Sequence, residues 1–308
     1  MGALKNWVAL QNQADCFFEI ADWHALTTGY ADSKTLRENT LDVALDLLAV
    51  GIDPQKSVLF RQSDVKEHSE LFLLLGMMPP LRWLERNPTY KSQIQELKEK
   101  DLGTYGFLGY PVLQAADILV YRADWVPVGQ DQLPHLELTR EIARRFNSLY
   151  KPVFPEPQAK LTASPVLPGT DGRKMSKSYG NTIELSTDEK TLRAKVGQMI
   201  TDPKKVRKGD PGRPEICPVF ALHKIFNAAE IDPIARDCRS GALGCVDCKK
   251  NLANHIIAEL APVWERRREL KAQPERVEEV LRSGADRARK EAQATLALVK
   301  EAMHLTDG

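Results

Sequence analysis

The sequence has no long hydrophobic run and almost no net charge. Its longest uninterrupted apolar run, from Leu71 to Leu75, is far too short to cross a bilayer, and no charged segment followed by an apolar one opens the chain as a secretory signal would. The formal net charge is +1, so any RNA contact must come from local basic groups. We expect a cytoplasmic protein with reduced thiols and no membrane partner.

Dense clusters of basic residues are few. The densest in the second half of the chain are Lys249-Lys250 and Arg266-Arg267-Arg268. Phosphate contacts are one use for such groups. A solvated helix face is the alternative, because glutamates interleave nearby.

Cysteine is also scarce, yet four of the five cysteines lie within 32 residues. Cys217, Cys238, Cys245 and Cys248 have the spacing C-x20-C-x6-C-x2-C, and the last pair has the spacing with which two thiolates share one metal. Four cysteine ligands suit either tetrahedral zinc or a [4Fe–4S] cluster. The alternative, four unconnected buried cysteines, is disfavoured by this clustering. Cys16 lies apart and is expected in the core.

Short apolar segments alternate with helical patterns in the first part of the chain. Strands are predicted at 16–21, 57–60 and 125–128, and helices at 4–14, from Ser33 to Gly51, from Val65 to Leu75, from Pro111 to Tyr121 and at 132–149. This alternation predicts an α/β fold with a parallel sheet. After Ser186 the strand signals stop, and the chain ends in a long charged helical pattern at 275–304. We place a domain boundary near 183, and the last helix is able to fold back on the first domain.

The segment Lys174-Met175-Ser176-Lys177-Ser178 follows a stretch rich in glycine and aspartate at 168–173, which predicts an exposed loop. Two ammonium groups with a hydroxyl between them suit a polyphosphate. Such a loop is able to close on a nucleotide and neutralise the charge that develops on a pyrophosphate leaving group. The alternative is a solvated basic loop.

A second candidate nucleotide segment is Gly129-Gln130-Asp131-Gln132, at the carboxyl end of a predicted strand and the start of a helix. Ligands of open α/β sheets bind at such positions, near the free N–H groups of the helix. Gly129 permits close approach of a ligand to the backbone. The alternative is that Asp131 caps the helix.

Two further side chains are candidates on weaker grounds. Asp117 lies in an otherwise apolar helical segment, and it needs a partner if it is buried. The alternative is that it faces solvent. His24 follows the first strand, and the residues alone indicate a structural histidine.

These motifs together resemble the tryptophanyl-tRNA synthetases, a family of class I aminoacyl-tRNA synthetases. The segment 174–178 matches the second class I signature, and the stretch 126–147 is similar to the corresponding stretch of that family. Asp22-Trp23-His24-Ala25 also matches, and the cysteines resemble a bacterial subset that carries a [4Fe–4S] cluster. The resemblance covers nearly the whole chain.

The resemblance implies a Rossmann-like catalytic domain over 1–183 and an all-α anticodon-binding domain over 184–308. It also implies ATP- and Mg²⁺-dependent activation of L-tryptophan, transfer to tRNA(Trp), and a homodimer. Asp117 would accept the indole N–H, in a pocket with Gln114 and His24. Lys174 and Lys177 would be catalytic. The implied ATP contacts are Gly129, Gln130, Asp131, Gln132, Val166, Lys174, Met175, Ser176, Lys177 and Ser178. The implied cluster ligands are Cys217, Cys238, Cys245 and Cys248, with zinc as the alternative metal.

Two features depart from the family pattern. Gln114 stands where many bacterial tryptophanyl enzymes have methionine, and glutamine there is similar to tyrosyl enzymes, so tyrosine is an alternative substrate. The chain also has no His-x-Gly-His signature and begins with residues that look like those just after it. We expect a misassigned or truncated start, and the alternative is a non-catalytic paralogue that binds tRNA or a partner.

Overall fold

The computed structural model describes residues 2–88, 90–91, 94, 102–161, 167–176 and 179–305. The chain forms two compact units. The helical unit comprises residues 1–5 and 164–272, and the sheet unit comprises residues 6–163 and 273–308. Compact units need not coincide with functional domains, so the domain limits at 183 and 184 stay a prediction.

Helices make up most of the described chain. In chain order they are α1 (Gly2–Leu10), α2 (Asp22–Gly29), α3 (Leu36–Val50), α4 (Glu67–Gly76), α5 (Leu81–Glu85), α6 (Tyr105–Leu119), α7 (Leu133–Leu149), α8 (Glu189–Gln198), α9 (Pro218–Phe226), α10 (Ile231–Ser240), α11 (Cys245–Lys271) and α12 (Pro274–Ala302). None of these described helices is both long and apolar enough to cross a membrane.

The strands of the sheet unit pair in parallel. Strand β1 (Cys16–Ile20) pairs with β2 (Ser57–Arg61), and β3 (Trp125–Val128) pairs with β4 (Gln158–Leu161). The predicted α/β class with parallel pairing is therefore confirmed, as is the helical region that follows. Strand β4 was missed because its sequence, Gln-Ala-Lys-Leu, has no apolar run that distinguishes it from a loop.

The core of the sheet unit forms around β2. Val58, Leu59 and Phe60 are buried, and α12 packs against this strand and against α4. The charged helical pattern at the end of the chain is thus amphipathic, with alanines such as Ala285 and Ala288 facing the core.

Helix α6 begins earlier than the sequence predicted. The Thr104 hydroxyl accepts a hydrogen bond from the Phe107 N–H and so caps the helix before Tyr105. Pro111 therefore lies inside the helix rather than at its first turn. Since proline has no N–H, the carbonyl group of Phe107 has no helical partner at that point. The cap at Thr104 was the signal that the prediction overlooked.

The helical unit has a separate core. Residues of α8, α9 and α11 pack together, among them Val196, Leu222, Leu252 and Ile256. Helix α10 ends at Gly241, whose φ of +82° is the left-handed conformation that glycine adopts readily. This turn leads into α11, which begins at a cysteine.

Candidate functional site

The carboxylate of Asp117, on α6, accepts hydrogen bonds from three side chains of other elements. His24 Nε2 lies 2.7 Å from Oδ2, Gln62 Nε2 lies 2.9 Å from Oδ1, and His68 Nδ1 lies 2.7 Å from the same Oδ1. The structure thus brings together two of the three residues predicted to bind tryptophan. Gln114, the third, is half-buried one helical turn before Asp117 on the same side of α6.

These hydrogen bonds keep Asp117 ionised. Burial by itself raises the pKa of the carboxyl, but the hydrogen bonds from His24 and His68 outweigh it, and the pKa of Asp117 lies below its ordinary value. Asp117 is therefore an acceptor of hydrogen bonds at neutral pH. The alternative of a solvent-facing Asp117 is excluded, since its side chain is only 11% exposed.

Sequence reasoning missed several members of this site. Glu19 on β1 lies close to Asp117, with Oε2 3.4 Å from His68 Nδ1. The other ring nitrogen of His68, Nε2, lies 2.7 Å from the hydroxyl of Tyr121, whose ring stacks on Phe17 with centroids 4.5 Å apart. A carboxylate inside the apolar strand Cys-Phe-Phe-Glu-Ile was the available signal for Glu19.

The candidate nucleotide segment lies where β3 ends. Residues Gln130–Gln132 form a 3₁₀ turn, and α7 follows at Leu133. A Cβ on Gly129 would lie 2.6 Å from Asp131 Oδ1, so a side chain there would displace that carboxylate. Asp131 makes no capping hydrogen bond and instead accepts one from Gln132 Nε2 at 3.2 Å. The capping alternative is therefore excluded, whereas the role in ATP binding stays a prediction.

A buried histidine lies behind this segment. Nε2 of His135, on α7, is 3.3 Å from the Tyr110 hydroxyl, and the Tyr110 ring makes an edge contact with His24 at 6.5 Å between centroids. Burial lowers the pKa of His135 and raises the pKa of Tyr110 to about 12. Both groups are neutral at physiological pH, and they link the nucleotide segment to the surroundings of Asp117.

The lysine loop of the helical unit is a short hairpin. Pro168 and Lys174 form an antiparallel bridge, and the turn passes through Gly172, whose φ is +79°. The side chain of Lys174 is exposed, as predicted. The remaining predicted positions of this site, Lys177, Ser178 and Val166, lie outside the described residues.

Asn181, which sequence reasoning missed, holds this hairpin together. Its side chain is buried, donates to Asp171 Oδ1 at 2.7 Å and to the Lys174 carbonyl at 3.1 Å, and accepts the Ser176 N–H at 2.8 Å. The hydrogen bond from Asn181, with the pairing to Arg173, lowers the pKa of Asp171. The loop is therefore fixed from within by one amide.

The four clustered cysteines line one cavity of the helical unit. Cys217, Cys238, Cys245 and Cys248 surround it together with Lys205. Among the described residues, no three of these sulfurs lie within 4.8 Å of one another. Burial, with the neighbouring thiols, raises the pKa of Cys248 to about 12. A donor set of four thiols, held apart around a shared space, fits a cationic centre that stabilises thiolates.

A basic cleft of about 520 Å³ is also lined by residues of α11. Arg193 of α8 and Lys249 and Lys250 of α11 line it, together with the exposed side chain of Val246. Lys249 Nζ donates to the Gly197 carbonyl at 2.9 Å, which fixes its ammonium group at the rim. The cleft offers positive charge and one apolar contact surface.

Comparisons with known proteins identify the family to which the chain belongs. The sequence profile of the family described as tRNA synthetases class I (W and Y) matches residues 1–261. Tryptophan–tRNA ligase from Thermotoga maritima is 54% identical, over 99% of this chain and 94% of its own length, and that from Aquifex aeolicus is 48% identical, over 99% and 95%. Tryptophanyl-tRNA synthetase from Campylobacter jejuni, solved with ADP and tryptophan, superposes with a TM-score of 0.89 at 37% identity, over 98% of this chain and 94% of its own. The chain belongs to the class I tRNA synthetase family of the tryptophan and tyrosine enzymes.

Proposed function

We propose that this chain is a tryptophan–tRNA ligase, which activates L-tryptophan with ATP and transfers it to tRNA(Trp). The observation that carries the proposal is the buried carboxyl of Asp117 on α6, which accepts hydrogen bonds and has a lowered pKa. An indole offers one hydrogen-bond donor and no acceptor, so it matches such an acceptor. A site built around an acceptor rejects ligands that lack the matching donor. The relatives at 48% and 54% identity, both tryptophan–tRNA ligases, support tryptophan over tyrosine.

In the proposed reaction the tryptophan carboxylate attacks the α-phosphate of ATP, and pyrophosphate leaves. Lys174 and Lys177 stabilise the charge that develops on the pyrophosphate. The phosphate oxygens of ATP would hold Mg²⁺, which would supply neutralisation of their charge. The residues assigned to ATP are Gly129, Gln130, Asp131, Gln132, Val166, Lys174, Met175, Ser176, Lys177 and Ser178. The work of the protein is positioning and electrostatic stabilisation.

The cysteine cavity is proposed to hold a [4Fe–4S] cluster rather than zinc. Four thiolates on one zinc ion lie about 3.8 Å from one another, as follows from a Zn–S bond of about 2.3 Å in tetrahedral geometry. No three of the described sulfurs lie within 4.8 Å of one another, whereas four cysteines around one cavity would supply the four thiolates that a [4Fe–4S] cluster takes. The cluster would join the start of α9, α10 and the start of α11, and its role would be structural or in tRNA contact.

The basic cleft is proposed to contact the tRNA backbone. Lys249, Lys250 and Arg193 supply the positive charge that phosphates require, and Val246 offers an apolar surface for a base or ribose. The near-zero net charge of the chain makes such a local patch necessary.

We also propose that the protein is a homodimer and acts in the cytoplasm. Leu73, Met77, Leu81 and Tyr105 of the sheet unit are all exposed apolar or aromatic side chains on α4, α5, α6 and the segment after α4. Clusters of exposed apolar groups are typical of protein interfaces.

Tryptophan-dependent exchange of pyrophosphate into ATP tests the proposed function. We expect exchange with tryptophan and none with tyrosine. Asp117→Asn should raise KM for tryptophan about 10- to 100-fold, because the charged acceptor is lost. Asp232→Asn, which changes an exposed carboxylate of α10, is the control. Exchange with tyrosine instead of tryptophan would assign tyrosine as the substrate. Binding of tRNA without any exchange would favour the non-catalytic paralogue.

A further inference from the structure

Two carboxyl groups compete for one imidazole N–H at the tryptophan site. His68 Nδ1 lies 2.7 Å from Asp117 Oδ1 and 3.4 Å from Glu19 Oε2. The three groups have their polar atoms within 4.8 Å of one another. Two carboxylates at such a spacing do not both ionise readily without a cation between them.

Among the described residues, no lysine or arginine faces this pair. Asp22 of α2 and Glu67 of α4 are acidic, and the groups that face the pair directly are His24, Gln62, His68 and the Tyr121 hydroxyl. Arg61, which ends β2, pairs instead with Asp64 and Glu278. Among the described residues, neither Glu19 nor Asp117 forms an ion pair with a lysine or arginine.

The hydrogen bonds decide which carboxyl stays ionised. Asp117 accepts hydrogen bonds from His24, Gln62 and His68. Glu19 has one long contact with a histidine, His68, and otherwise meets the carboxyl of Asp117 itself. Burial of Glu19, together with the charges of Asp117 and Asp22, raises its pKa well above the ordinary value. Burial also raises the pKa of Tyr121, so its hydroxyl stays protonated, and it lies 2.7 Å from His68 Nε2. Because an ionised carboxylate can only accept a hydrogen bond, the Nδ1 atom of His68 carries a proton and donates it to Asp117.

We propose that Glu19 is a positioning residue for tryptophan, which holds the one proton of this carboxyl pair so that only Asp117 is negative where the indole N–H binds. The inference rests on the proposed function, and it adds a residue and a protonation state to it. The strand geometry supports it, because Glu19 and Phe17 lie on the same face of β1, the face that packs on Tyr121.

The hydrogen bonds also indicate how the indole gains access to Asp117. A carboxylate has about four lone-pair sites. Three are used by His24, Gln62 and His68, and Glu19 hydrogen bonds to Asp117 as well. The indole N–H must therefore replace one donor. His24 is the one suited to turn away, since its side chain is 20% exposed and that of His68 is fully buried.

Tryptophan binding should then depend on pH through Glu19. The side chain of Glu19 is 17% exposed, and an indole ring over the pocket removes that remaining contact with water. Because removing water from a second charge is costly, tryptophan binds the form with protonated Glu19. Affinity should fall as the pH rises through the pKa of Glu19, by up to about tenfold per pH unit for one proton.

The test compares the wild type with Glu19→Gln, which keeps the shape and the neutral charge. The quantity compared is the pH dependence of KM for tryptophan in each protein, relative to its own value at neutral pH. At alkaline pH, the wild-type KM should rise and that of Glu19→Gln should not. The infrared spectrum of the wild type at neutral pH should show a protonated-carboxyl C=O band that Glu19→Gln lacks. Glu70→Gln, on α4 and paired with Lys300, is the control and should keep the band.

Distinct results would overturn the inference and the proposed function. Absence of the carboxylic-acid band from the wild type at neutral pH would overturn the inference, as would the same alkaline rise of KM in Glu19→Gln. If Glu19→Gln does not fold, the wild type is measured alone as the pH is raised. Loss of the protonated-carboxyl band would then support the inference, and a band that persists would overturn it. Presence of the band without tryptophan binding would instead overturn the proposed function.

Discussion

Gly284 of α12 lies against the backbone of Leu59 in β2, so closely that a Cβ at position 284 would be 1.9 Å from the Leu59 carbonyl oxygen. Gly284→Ala must therefore push the helix off the strand, and we expect the free energy of unfolding to fall by about 1–3 kcal/mol or more. Urea unfolding measures this. Gly106→Ala, inside α6 with open space around its Cβ, is the control and should be neutral or stabilising by up to about 1 kcal/mol. Equal effects of the two substitutions would contradict this packing.

Asn181→Ala should loosen the lysine loop without unfolding the helical unit. The substitution removes the amide that joins Asp171, Lys174 and Ser176, and the loss of these hydrogen bonds costs about 1–3 kcal/mol locally. Faster amide hydrogen exchange at 168–176 is the expected signature, with kcat for pyrophosphate exchange lowered by about 10- to 100-fold. Asn39→Ala, which removes one exposed hydrogen bond on α3, should change neither. An unchanged kcat in Asn181→Ala would show that the hairpin geometry does not matter to the reaction.

Lys250→Ala should weaken tRNA binding through charge alone. Lys250 is exposed at the basic cleft. If it neutralises one phosphate, the slope of log affinity against log salt concentration should become less steep by about 1. Filter binding over a salt series measures the slope. Lys290→Ala, which removes an exposed lysine from α12, is the charge-matched control and should leave the slope unchanged. A loss of affinity that is independent of salt would assign Lys250 a structural role.

The sequence predicts features that rest on local pattern, and the structure confirms several of them. The apolar runs mark β1, β2 and β3, and the glycine after Val50 marks the end of α3. Spacing along the chain also anticipates that the four cysteines surround one space. These features follow from the 2- and 3.6-residue periods and from turn chemistry, which operate over a few neighbouring residues.

The contacts of the proposed tryptophan site depend on residues far apart in the sequence. Glu19 and Asp117 lie 98 positions apart in the sequence, and the pattern of neither segment identifies the other as its partner. In the sequence, His68 looks like any polar residue at the start of an amphipathic helix. Its role becomes visible only in the fold, where α4 packs against α6 and brings His68 to Asp117. Asn181 likewise resembles a loop residue, because its role depends on three backbone and side-chain partners from the other side of a turn. Such pairings are products of tertiary packing.

Asp202 should stabilise the helical unit at neutral pH and not in acid. Its carboxylate accepts from the Arg213 guanidinium, at 3.0 Å from Nε and 2.6 Å from Nη2, and from the N–H groups of Lys204 and Arg213. These bonds hold its pKa far below the ordinary value. The stabilisation is therefore present above about pH 4, the unfolded pKa, and is lost as the pH falls toward the folded pKa.

Asp202→Asn should accordingly lower the urea midpoint of unfolding at neutral pH, and the gap from the wild type should narrow as the pH falls below about 4. Asp232→Asn, which changes an exposed carboxylate on α10, serves as the matched control. A gap that stays constant across the acid range would mean that the hydrogen bonds of Asp202 do not depend on its charge.

Removal of the proposed metal centre should destabilise the helical unit more than the sheet unit. The four cysteines lie at the start of α9, at the end of α10 and in the first turn of α11, so a [4Fe–4S] cluster would link three helices. We expect about four irons and four sulfides per chain after anaerobic purification, with a brown absorbance that a chelator and oxidant abolish. Cys248→Ala should lose the iron, whereas Cys16→Ala, which changes the cysteine of β1, should retain it. Stoichiometric zinc without iron would instead assign a single zinc ion to the site. Such an ion would require the four sulfurs to lie about 3.8 Å from one another.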